Sequence, residues 1–489
     1  MSDALDIFIG GQWRKGRGDV KSSINPANGD EVARFSTASP EDVDEAAEAG
    51  AAAMKAPEWR EMKPHDRAKL LRRISDGLAE QNEEIAQLQT SDTGKCLSET
   101  RALAASASAT FQYFAAALET LEDALTPPRG DYLTMSIHEP MGVVGAITPW
   151  NSPIASDAQK VAPALAAGNA VLLKPAEWTS LVSRAFARIC EQAGLPKGLL
   201  SVLPGDGPVV GDQIVRHPLI KKVSFTGGTV TGRSIAKIAA EKLIPVSLEL
   251  GGKSPTVVFD DAEIDHAVNG VALGVFSSTG QSCIAGSRLF VQRGVLDKFV
   301  AALLTKTRDL KMGDPTDPQT RIAPMVSFEH RQGVADYVEL ARAEGGEILS
   351  GGQAPDGEAF SRGAFYAPTI ISGLTNDART CQEEIFGPVL VLIPFDDEDD
   401  LVAMANDSVY GLACGLWTRD YRRAWRVARR IEAGTVWINT YKQFSISTPF
   451  GGVKESGLGR EKGREGIRAY MNQKSLYWGL NEAPLPWAN

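Results

Sequence analysis

The chain has 489 residues, which is too long for one compact core and predicts two or three structural units. Hydrophobic residues make up 43% and charged residues 23%, as in ordinary globular proteins, and a net charge of −10 with no basic run excludes nucleic acid as a partner. Since the chain shows neither a signal-peptide pattern nor a continuous apolar run of about eighteen residues, we expect a cytoplasmic protein without membrane spans.

The first part of the chain is predicted to be a β-hairpin followed by helices. Residues 7–13 have the pattern of strand, turn and strand. A helix is expected to begin after a Ser39 cap, and helical spacing recurs over 67–88 and 99–121. Residues 132–140 alternate like a strand and are predicted to project as a pairing edge.

From residue 142 onward, apolar strand candidates alternate with helices. This alternation is typical of a parallel sheet wrapped by helices, with ligands at the carboxyl ends of its strands. We therefore interpret residues 142–250 as a nucleotide-binding unit, and the renewed alternation from 256 to 439 as a second α/β unit. The predicted strands of the first unit are 143–147, 170–174, 199–203, 222–225 and 246–250.

Cysteine usage singles out one thiol. The five cysteines are odd in number and show no CxxC spacing, which predicts no disulfide framework, no metal site and a reducing compartment. Cys283 lies between small and polar neighbours, Gly280 to Ser282 and Ala285-Gly286, where a substrate and backbone N–H groups can approach the sulfur. A buried free thiol is an equal alternative from these residues alone. The others are Cys96, Cys190, Cys381 and Cys414.

Polar residues follow several predicted strands. Asn151 lies between two prolines and is either a turn residue or an amide donor to an oxyanion. Lys174 and Glu177 can hold ribose hydroxyls or form a surface charge pair. The small residues of 226–232 favour phosphate binding at a helix N-terminus over a plain helix entry. Glu249 is a candidate base or, equally, a helix cap.

Histidine takes no part in this pattern. The five histidines lie outside all these stretches, so a Cys-His hydrolase is disfavoured. A thiol, a carboxylate base, an amide donor and a dinucleotide-sized site together suit the oxidation of an aldehyde. The histidines, interpreted as surface or structural residues, are His65, His138, His217, His266 and His330.

Seven motifs, in order, make the chain closely similar to the aldehyde dehydrogenase superfamily along nearly its whole length. The resemblance implies an α/β fold with a Rossmann-type dinucleotide-binding domain (1–125 and 143–250), a second α/β catalytic domain (251–445) and a small β oligomerisation arm with the C-terminal segment (126–142 and 446–489). The motifs are PWNSP at 149–153, KPAE at 174–177, FTGGTVTG at 225–232, LELGGKSP at 248–255, GQSCIAG at 280–286, EEIFGPV at 383–389 and PFGGVKESGLGRE at 449–461.

The resemblance also implies residue roles: Cys283 as nucleophile, Glu249 as general base and Asn151 as oxyanion donor. A carboxylate at Glu177 binds a ribose 2′-hydroxyl and repels a 2′-phosphate, so NAD is expected rather than NADP. Since coenzyme A-acylating relatives lack the glutamate, Glu249 indicates hydrolysis to a free acid. The residues expected to contact the cofactor are Ile147, Trp150, Lys174, Glu177, Gly207, Gly227, Gly228, Leu250, Glu384 and Phe386.

The expected aldehyde tunnel departs from the family pattern. Where many relatives have large apolar and aromatic residues, this chain has Ser152, Ala155, Ser156 and Gln159, so we expect a wider and more polar tunnel with Phe444 as an aromatic wall. A bulky, aromatic or polar aldehyde is therefore expected. The remaining predicted tunnel residues are Ser282 and Ile284.

Several alternatives stay open. Lys442 either contacts a substrate carboxylate, which would indicate a semialdehyde dehydrogenase, or is a solvated loop lysine. Asn472 is matched to a glutamate that relays protons with Lys160 in some relatives, so this relay is not expected here. The strand near 131–140 is expected to pair with residues 475–489 of a neighbouring copy, giving a homodimer or homotetramer. A catalytically silent NAD-binding relative and a cofactor-free thiol esterase are the competing functions.

Overall fold

Three extended β-sheets organise the chain, which the computed structural model describes over residues 4–482 and at residue 487. Two further sheets are short two-stranded ribbons. The strands are β1 Ile7–Ile9, β2 Gln12–Arg14, β3 Val20–Ile24, β4 Glu31–Ser36, β5 Ala124–Thr126, β6 Tyr132–Pro140, β7 Val143–Ile147, β8 Ala170–Lys174, β9 Leu200–Val202, β10 Ile220–Thr226, β11 Val246–Glu249, β12 Pro255–Val258, β13 Arg288–Gln292, β14 Glu347–Ser350, β15 Thr369–Ser372, β16 Val389–Phe395, β17 Tyr410–Gly411, β18 Ala413–Trp417, β19 Thr435–Ile438, β20 Val453–Lys454, β21 Gly457–Leu458 and β22 Met471–Gly479.

Helices begin where the sequence provides caps. Ser39 Oγ accepts a hydrogen bond from Asp42 N (3.3 Å), and Asp42 Oδ2 accepts one from Ser39 N (3.0 Å), a capping box that starts the first helix as predicted. The helices are α1 Pro40–Ala53, α2 Pro57–Arg60, α3 Pro64–Glu80, α4 Asn82–Thr93, α5 Leu97–Glu119, α6 Pro153–Ala166, α7 Ser180–Gln192, α8 Asp212–Arg216, α9 Thr229–Glu241, α10 Ile264–Phe276, α11 Leu296–Arg308, α12 Phe328–Ala343, α13 Arg379–Gln382, α14 Glu398–Asn406, α15 Tyr421–Ala428 and α16 Gly463–Arg468.

One helix prediction is wrong in its extent. The helical spacing over 67–88 belongs to two helices, α3 and α4, which meet at Gln81. The backbone of Gln81 (φ −96°, ψ 14°) leaves the helical range and turns the chain there. Apolar periodicity continues across the break because both helices bury a face in the same core, as Leu78 and Ile85 show.

The first large sheet has the strand order β2-β1-β9-β8-β7-β10-β11-β21. Strands β9, β8, β7, β10 and β11 run parallel, while the predicted N-terminal hairpin extends the sheet because β1 pairs antiparallel with β9. Strands β7 and β8 are buried throughout, as expected for a parallel sheet covered by helices on both faces. The strand order reverses between β7 and β10, which is where such sheets bind ligands.

A second sheet forms another core. Its order is β14-β15-β16-β13-β12-β18-β19, and only the β14–β15 pair is antiparallel. Helix α10 packs on it and leads directly into the Cys283 loop. Strand β21, which falls within the segment expected to form the arm, pairs with β11 at the edge of the first sheet. The domain boundaries themselves stay a prediction.

The third sheet has the order β22-β6-β5 and corrects the expected pairing of the projecting strand. Residues 471–479 pair antiparallel with β6 of the same chain, Met471 opposite Pro140 and Gly479 opposite Tyr132. The partner is therefore the chain's own C-terminal strand, and the last residues of the expected segment lie largely outside the described part. No helix within 4–482 has both the length and the apolar character needed to cross a membrane.

Candidate functional site

The polar residues that follow separate strands meet at one edge of the first sheet. Ile147 at the end of β7 lies opposite Lys174 at the end of β8 and opposite Phe225 of β10, and Thr226 lies opposite Glu249. Parallel strands in register place their carboxyl ends together, so the loops that follow converge. All ten residues expected to contact the cofactor and the three expected catalytic residues line one cavity of about 880 Å³.

One end of this cavity holds a cation and a carboxylate. The Lys174 ammonium donates to Pro175 O (2.9 Å), and burial lowers its pKa to about 8. Glu177 is more exposed, accepts a hydrogen bond from Gly207 N (3.2 Å) and lies 3.3 Å from the Lys21 ammonium. Lys21 also pairs with Asp206. Glu177 is therefore the carboxylate that lines this end of the cavity.

The middle of the cavity is the N-terminus of α9, which is preceded by two glycines. A Cβ on Gly227 would lie 2.5 Å from the Phe225 ring, so this position requires glycine. A Cβ on Gly228 would meet nothing within 4 Å, because the space beside it is the open cavity. The first N–H groups of this thirteen-residue helix thus lie beside space in which a phosphate group can sit.

The opposite end contains Glu384, Phe386 and Trp150. Glu384 Oε1 accepts a hydrogen bond from Gly252 N (2.9 Å), and burial raises the pKa of Glu384 to about 7. A Cβ on Gly251 would lie 2.6 Å from Glu384 Oε2, so glycine permits this approach. Phe386 has φ +58°, and its ring meets Trp150 edge to face at 5.3 Å.

Cys283 follows a strained turn. Ser278, Thr279 and Gly280 all have φ between 53° and 70°, and only the last is a glycine. A Cβ on Gly280 would lie 2.0 Å from Gly387 O, and one on Gly252 would lie 2.4 Å from Cys283 O. The turn and the cysteine backbone therefore pack directly against the segments at Gly387 and Gly252, with no space for a Cβ on Gly280 or Gly252.

Charge and burial keep the Cys283 thiol protonated. Burial raises its pKa to about 12, and the neighbouring Glu384 and Glu249 carboxylates add to the rise, whereas Lys442 opposes it. A base is therefore needed to generate a thiolate near neutral pH.

Glu249 and Asn151 flank the thiol in the same cavity. Glu249 is 4% exposed, and burial together with the charge of Glu461 raises its pKa well above the ordinary value. Its Oε2 atom has no hydrogen-bond partner among the described residues. Asn151 Nδ2 donates to Gln281 O (3.0 Å), which leaves its second N–H for another acceptor.

A buried ion pair adjoins Glu249 and corrects one expectation. The Lys160 ammonium lies 2.5 Å from Glu461 Oε1, and both residues are at most 5% exposed. Ser224 Oγ contacts both, at 3.1 Å from Lys160 Nζ and 3.3 Å from Glu461 Oε1. Asn472 is exposed on β22 instead. The match of Asn472 to the relay glutamate is therefore wrong, and the end of the 449–461 motif was the signal that identifies Glu461.

Comparisons with known proteins agree with this geometry. The model of the aldehyde dehydrogenase family matches residues 13–476. A betaine aldehyde dehydrogenase of Brucella anthropi is 43% identical over 483 residues, 98% of each chain, and one of Bacillus subtilis is 38% identical over 485 residues, 99% of each chain. The chain belongs to the aldehyde dehydrogenase family. It is an NAD-dependent aldehyde dehydrogenase.

Solved structures give the same result for the fold. The NAD⁺ complex of an aldehyde dehydrogenase from Bacillus cereus has a TM-score of 0.95 and 37% identity, covering 98% of this chain and 97% of that one. The NAD⁺ complex of the Staphylococcus aureus betaine aldehyde dehydrogenase has a TM-score of 0.97 and 37% identity, covering 99% and 97%. The expected aldehyde dehydrogenase fold and the expected use of NAD are confirmed.

The aldehyde dehydrogenase's predicted tunnel residues do not all lie together. Ser152 and Ser156 share a hydrogen bond between their hydroxyls (3.0 Å) on the first turn of α6. Gln159 is held by a hydrogen bond to Glu461, and Ile284 is 5% exposed within the core of the second sheet. Phe444 is 48% exposed. These tunnel roles, and that of Ser282, remain predictions.

Two residues of the enzyme lie nearer the site than the sequence indicated. His330, expected to be a surface or structural residue, lines the cavity, with Nε2 2.9 Å from Phe386 O and its ring 5.3 Å from that of Trp150. Lys442 is not a solvated loop lysine, because it is half-buried and donates to Ser277 Oγ (2.7 Å). No group of three metal-ligating side chains is close enough to hold an ion in the described ranges.

Proposed function

We propose that this enzyme oxidises a polar aldehyde to the free carboxylic acid through a covalent intermediate on Cys283. The observation that carries the proposal is the meeting of Cys283, Glu249 and Asn151 in the cavity whose far end holds Lys174 and Glu177. A nucleophile, a base and an oxyanion donor beside a dinucleotide-sized space suit this oxidation, which needs all of them.

The residues of the cavity fit a dinucleotide. Lys174 and Glu177 would hold the adenosine ribose, the N-terminus of α9 after Gly228 the pyrophosphate, and Glu384 the second ribose. When bound, NAD⁺ supplies the hydride acceptor for the substrate carbon. The Glu177 carboxylate at the ribose end favours NAD over NADP, because it repels a 2′-phosphate.

The reaction begins with loss of the thiol proton. Glu249 lines the same cavity and is the base for this step, because a raised pKa makes it a strong proton acceptor near neutral pH. The thiolate attacks the aldehyde carbon, a C–S bond forms and the carbonyl oxygen becomes an alkoxide. The free N–H of the Asn151 amide and the Cys283 backbone N–H stabilise that alkoxide.

Loss of a hydride from the substrate carbon, for which bound NAD⁺ would be the acceptor, turns the alkoxide into a thioester on Cys283, and hydrolysis of this thioester restores the enzyme. Glu249 takes a proton from water, the hydroxide adds to the acyl carbon, the C–S bond breaks, and the acid leaves as the thiolate returns. The buried Lys160, Ser224 and Glu461 adjoin Glu249 and offer a route for its proton to leave the site. Glu461 therefore takes the place that the sequence assigned to residue 472.

The similar proteins support a polar substrate. They are named for betaine aldehyde, which carries a fixed charge and is not aromatic. An aromatic aldehyde, one of the classes expected from the tunnel residues, has no support from these relatives. The half-buried Ser152 and Ser156 hydroxyls at the start of α6 agree with a polar group in the tunnel.

We also propose that the three-stranded sheet carries self-association into a dimer or tetramer. Leu125, Tyr477, Trp478 and Leu480 of this sheet and its end are each at least 66% exposed, which leaves an apolar patch at its surface. Light scattering on the purified protein measures the state, and a monomer would refute this part.

The test of the function is NADH formation at 340 nm with a panel of aliphatic, charged and aromatic aldehydes, with NAD and with NADP. Wild type is expected to turn over with NAD, and Cys283→Ala is expected to bind NAD without forming NADH. Binding of NAD without turnover of any aldehyde would indicate a silent relative instead. Hydrolysis of a chromogenic ester in the absence of NAD, with no aldehyde oxidation, would indicate a thiol esterase.

A further inference from the structure

Two lysines beside the nucleophile have no carboxylate partner. Neither Lys442 nor Lys462 has a carboxylate oxygen within 4.0 Å among residues 4–482. Lys442 contacts Ser277, which precedes Cys283 by six residues, and Lys462 lies over Phe450, which packs on the same apolar cluster as Cys283, so both belong to the surroundings of the reacting sulfur. An unpaired, half-buried ammonium is costly, and a bound anion is the usual compensation.

Lys442 approaches from the loop after β19. Its backbone is left-handed (φ +53°), and its Nζ donates to Ser277 Oγ (2.7 Å), just before the strained turn that leads to Cys283. An ammonium has three donors, so two remain for a ligand. The Tyr441 hydroxyl anchors the same loop by donating to Ile284 O (3.0 Å).

Lys462 approaches from the segment before α16 and lies over aromatic rings. Its Nζ is 4.2 Å from the centroid of Phe444 and 5.2 Å from that of Phe450, and these two rings meet edge to face at 5.5 Å. Its ammonium therefore covers the aromatic faces that a quaternary ammonium substrate would need.

The carboxylates around these lysines do not cancel their charge. Glu99 accepts from Ser278 N (2.7 Å) and faces Lys442, but buried Lys95 lies on the same side and offsets it. Glu461, which faces Lys462, is already paired with Lys160. Glu249 is the remaining carboxyl, and burial together with the charge of Glu461 raises its pKa well above the ordinary value, which weakens the negative charge that it offers Lys462.

We infer that the tunnel binds an aldehyde that carries a carboxylate, held by Lys442 and Lys462, neither of which lines the dinucleotide cavity. The inference rests on the proposed function and gives its polar substrate a negative charge. Serines at 152 and 156 in place of large side chains leave hydroxyls and space for the acid group. A cationic aldehyde would meet two ammonium groups and no free aromatic face.

The experiment compares three substrates of similar size with NAD: a four-carbon ω-oxo acid, butanal and betaine aldehyde. We expect kcat/KM for the oxo acid to exceed that of the other two at least tenfold. Lys442→Met and Lys462→Met should each lower kcat/KM for the oxo acid at least tenfold relative to butanal, whereas Lys442→Arg should retain the preference. Lys298→Met, which removes an exposed charge on α11, is the matched control.

A second measurement does not depend on the variants. A four-carbon dicarboxylate should compete with butanal in the wild-type enzyme, and the uncharged diamide should not. Equal or greater kcat/KM for butanal or betaine aldehyde, or no competition by the dicarboxylate, would overturn the charge assignment while leaving aldehyde oxidation standing. An equal loss for all three substrates in Lys442→Met would show a role for this lysine at the thiol only. No NADH from any aldehyde would overturn the proposed function and this inference with it.

Discussion

Gly252→Ala tests how closely the nucleophile is positioned. A Cβ at this position would lie 2.4 Å from Cys283 O, while ordinary contact begins at 3.4 Å, so the cysteine backbone must retreat by about 3.4 − 2.4 = 1.0 Å. Other neighbours do not resist the methyl group, since Leu412 Cβ is already at 3.4 Å. A misplacement of about 1 Å costs on the order of a hundredfold in rate. At ~1.36 kcal/mol per factor of ten, this is about 2.7 kcal/mol of transition-state stabilisation.

The assay is kcat/KM for NADH formation, together with the rate at which iodoacetamide alkylates Cys283 and the affinity for NAD. We expect kcat/KM to fall about a hundredfold. The rate at which Cys283 is alkylated should fall as well. The matched control is Gly333→Ala on α12, where a Cβ meets nothing within 4 Å and activity should be unchanged. Activity of Gly252→Ala within threefold of wild type would refute the claim that this contact positions the nucleophile.

Three further predictions concern charge. Burial raises the pKa of Glu249, and only its carboxylate form acts as a base, so kcat of the wild type should increase as pH rises. Glu249→Gln should be at least about a hundredfold slower. A wild-type kcat that does not depend on pH would contradict this prediction. Glu461→Gln leaves the Lys160 ammonium buried and unpaired, so calorimetry should show a loss of about 3–5 kcal/mol. Its pH profile should also move to lower pH, because the Glu461 charge raises the pKa of Glu249; an unmoved profile would mean that the two carboxyls are not coupled. Glu177→Ser should allow NADP to bind more easily and so reduce the preference for NAD over NADP in kcat/KM by about tenfold. An unchanged preference would mean that other residues determine it.

The convergence of these residues on one cavity could be predicted from local sequence, because each of them lies at or just after the end of a strand. Ile147, Lys174, Phe225 and Glu249 end or nearly end four apolar segments, and parallel pairing brings such ends to one edge whatever the exact strand order. Glycine at positions 227 and 251 also has a simple physical cause, because the close contacts there exclude a Cβ.

The charges around Cys283 required the tertiary structure. Glu461 and Lys160 are 301 residues apart, and although Glu461 ends a recognisable motif, the motif does not show which residue it contacts. The same is true of Lys462, which lies over Phe444 and Phe450, two rings from another loop that pack together. His330, on α12, also lines the cavity only because the fold brings distant segments together.

The sequence by itself thus determined the family, the alternation of strands and helices, and the residue types at the strand ends, because these depend on local periodicity and on motifs a few residues long. Only the tertiary structure decided that β22 pairs with β6 of its own chain and that Lys160 is paired with Glu461. Only it placed Lys442 against Ser277 and Lys462 over the rings of Phe444 and Phe450. Contacts between distant segments, and the burial that shifts their pKa values, arise from packing and have no local signature in the chain.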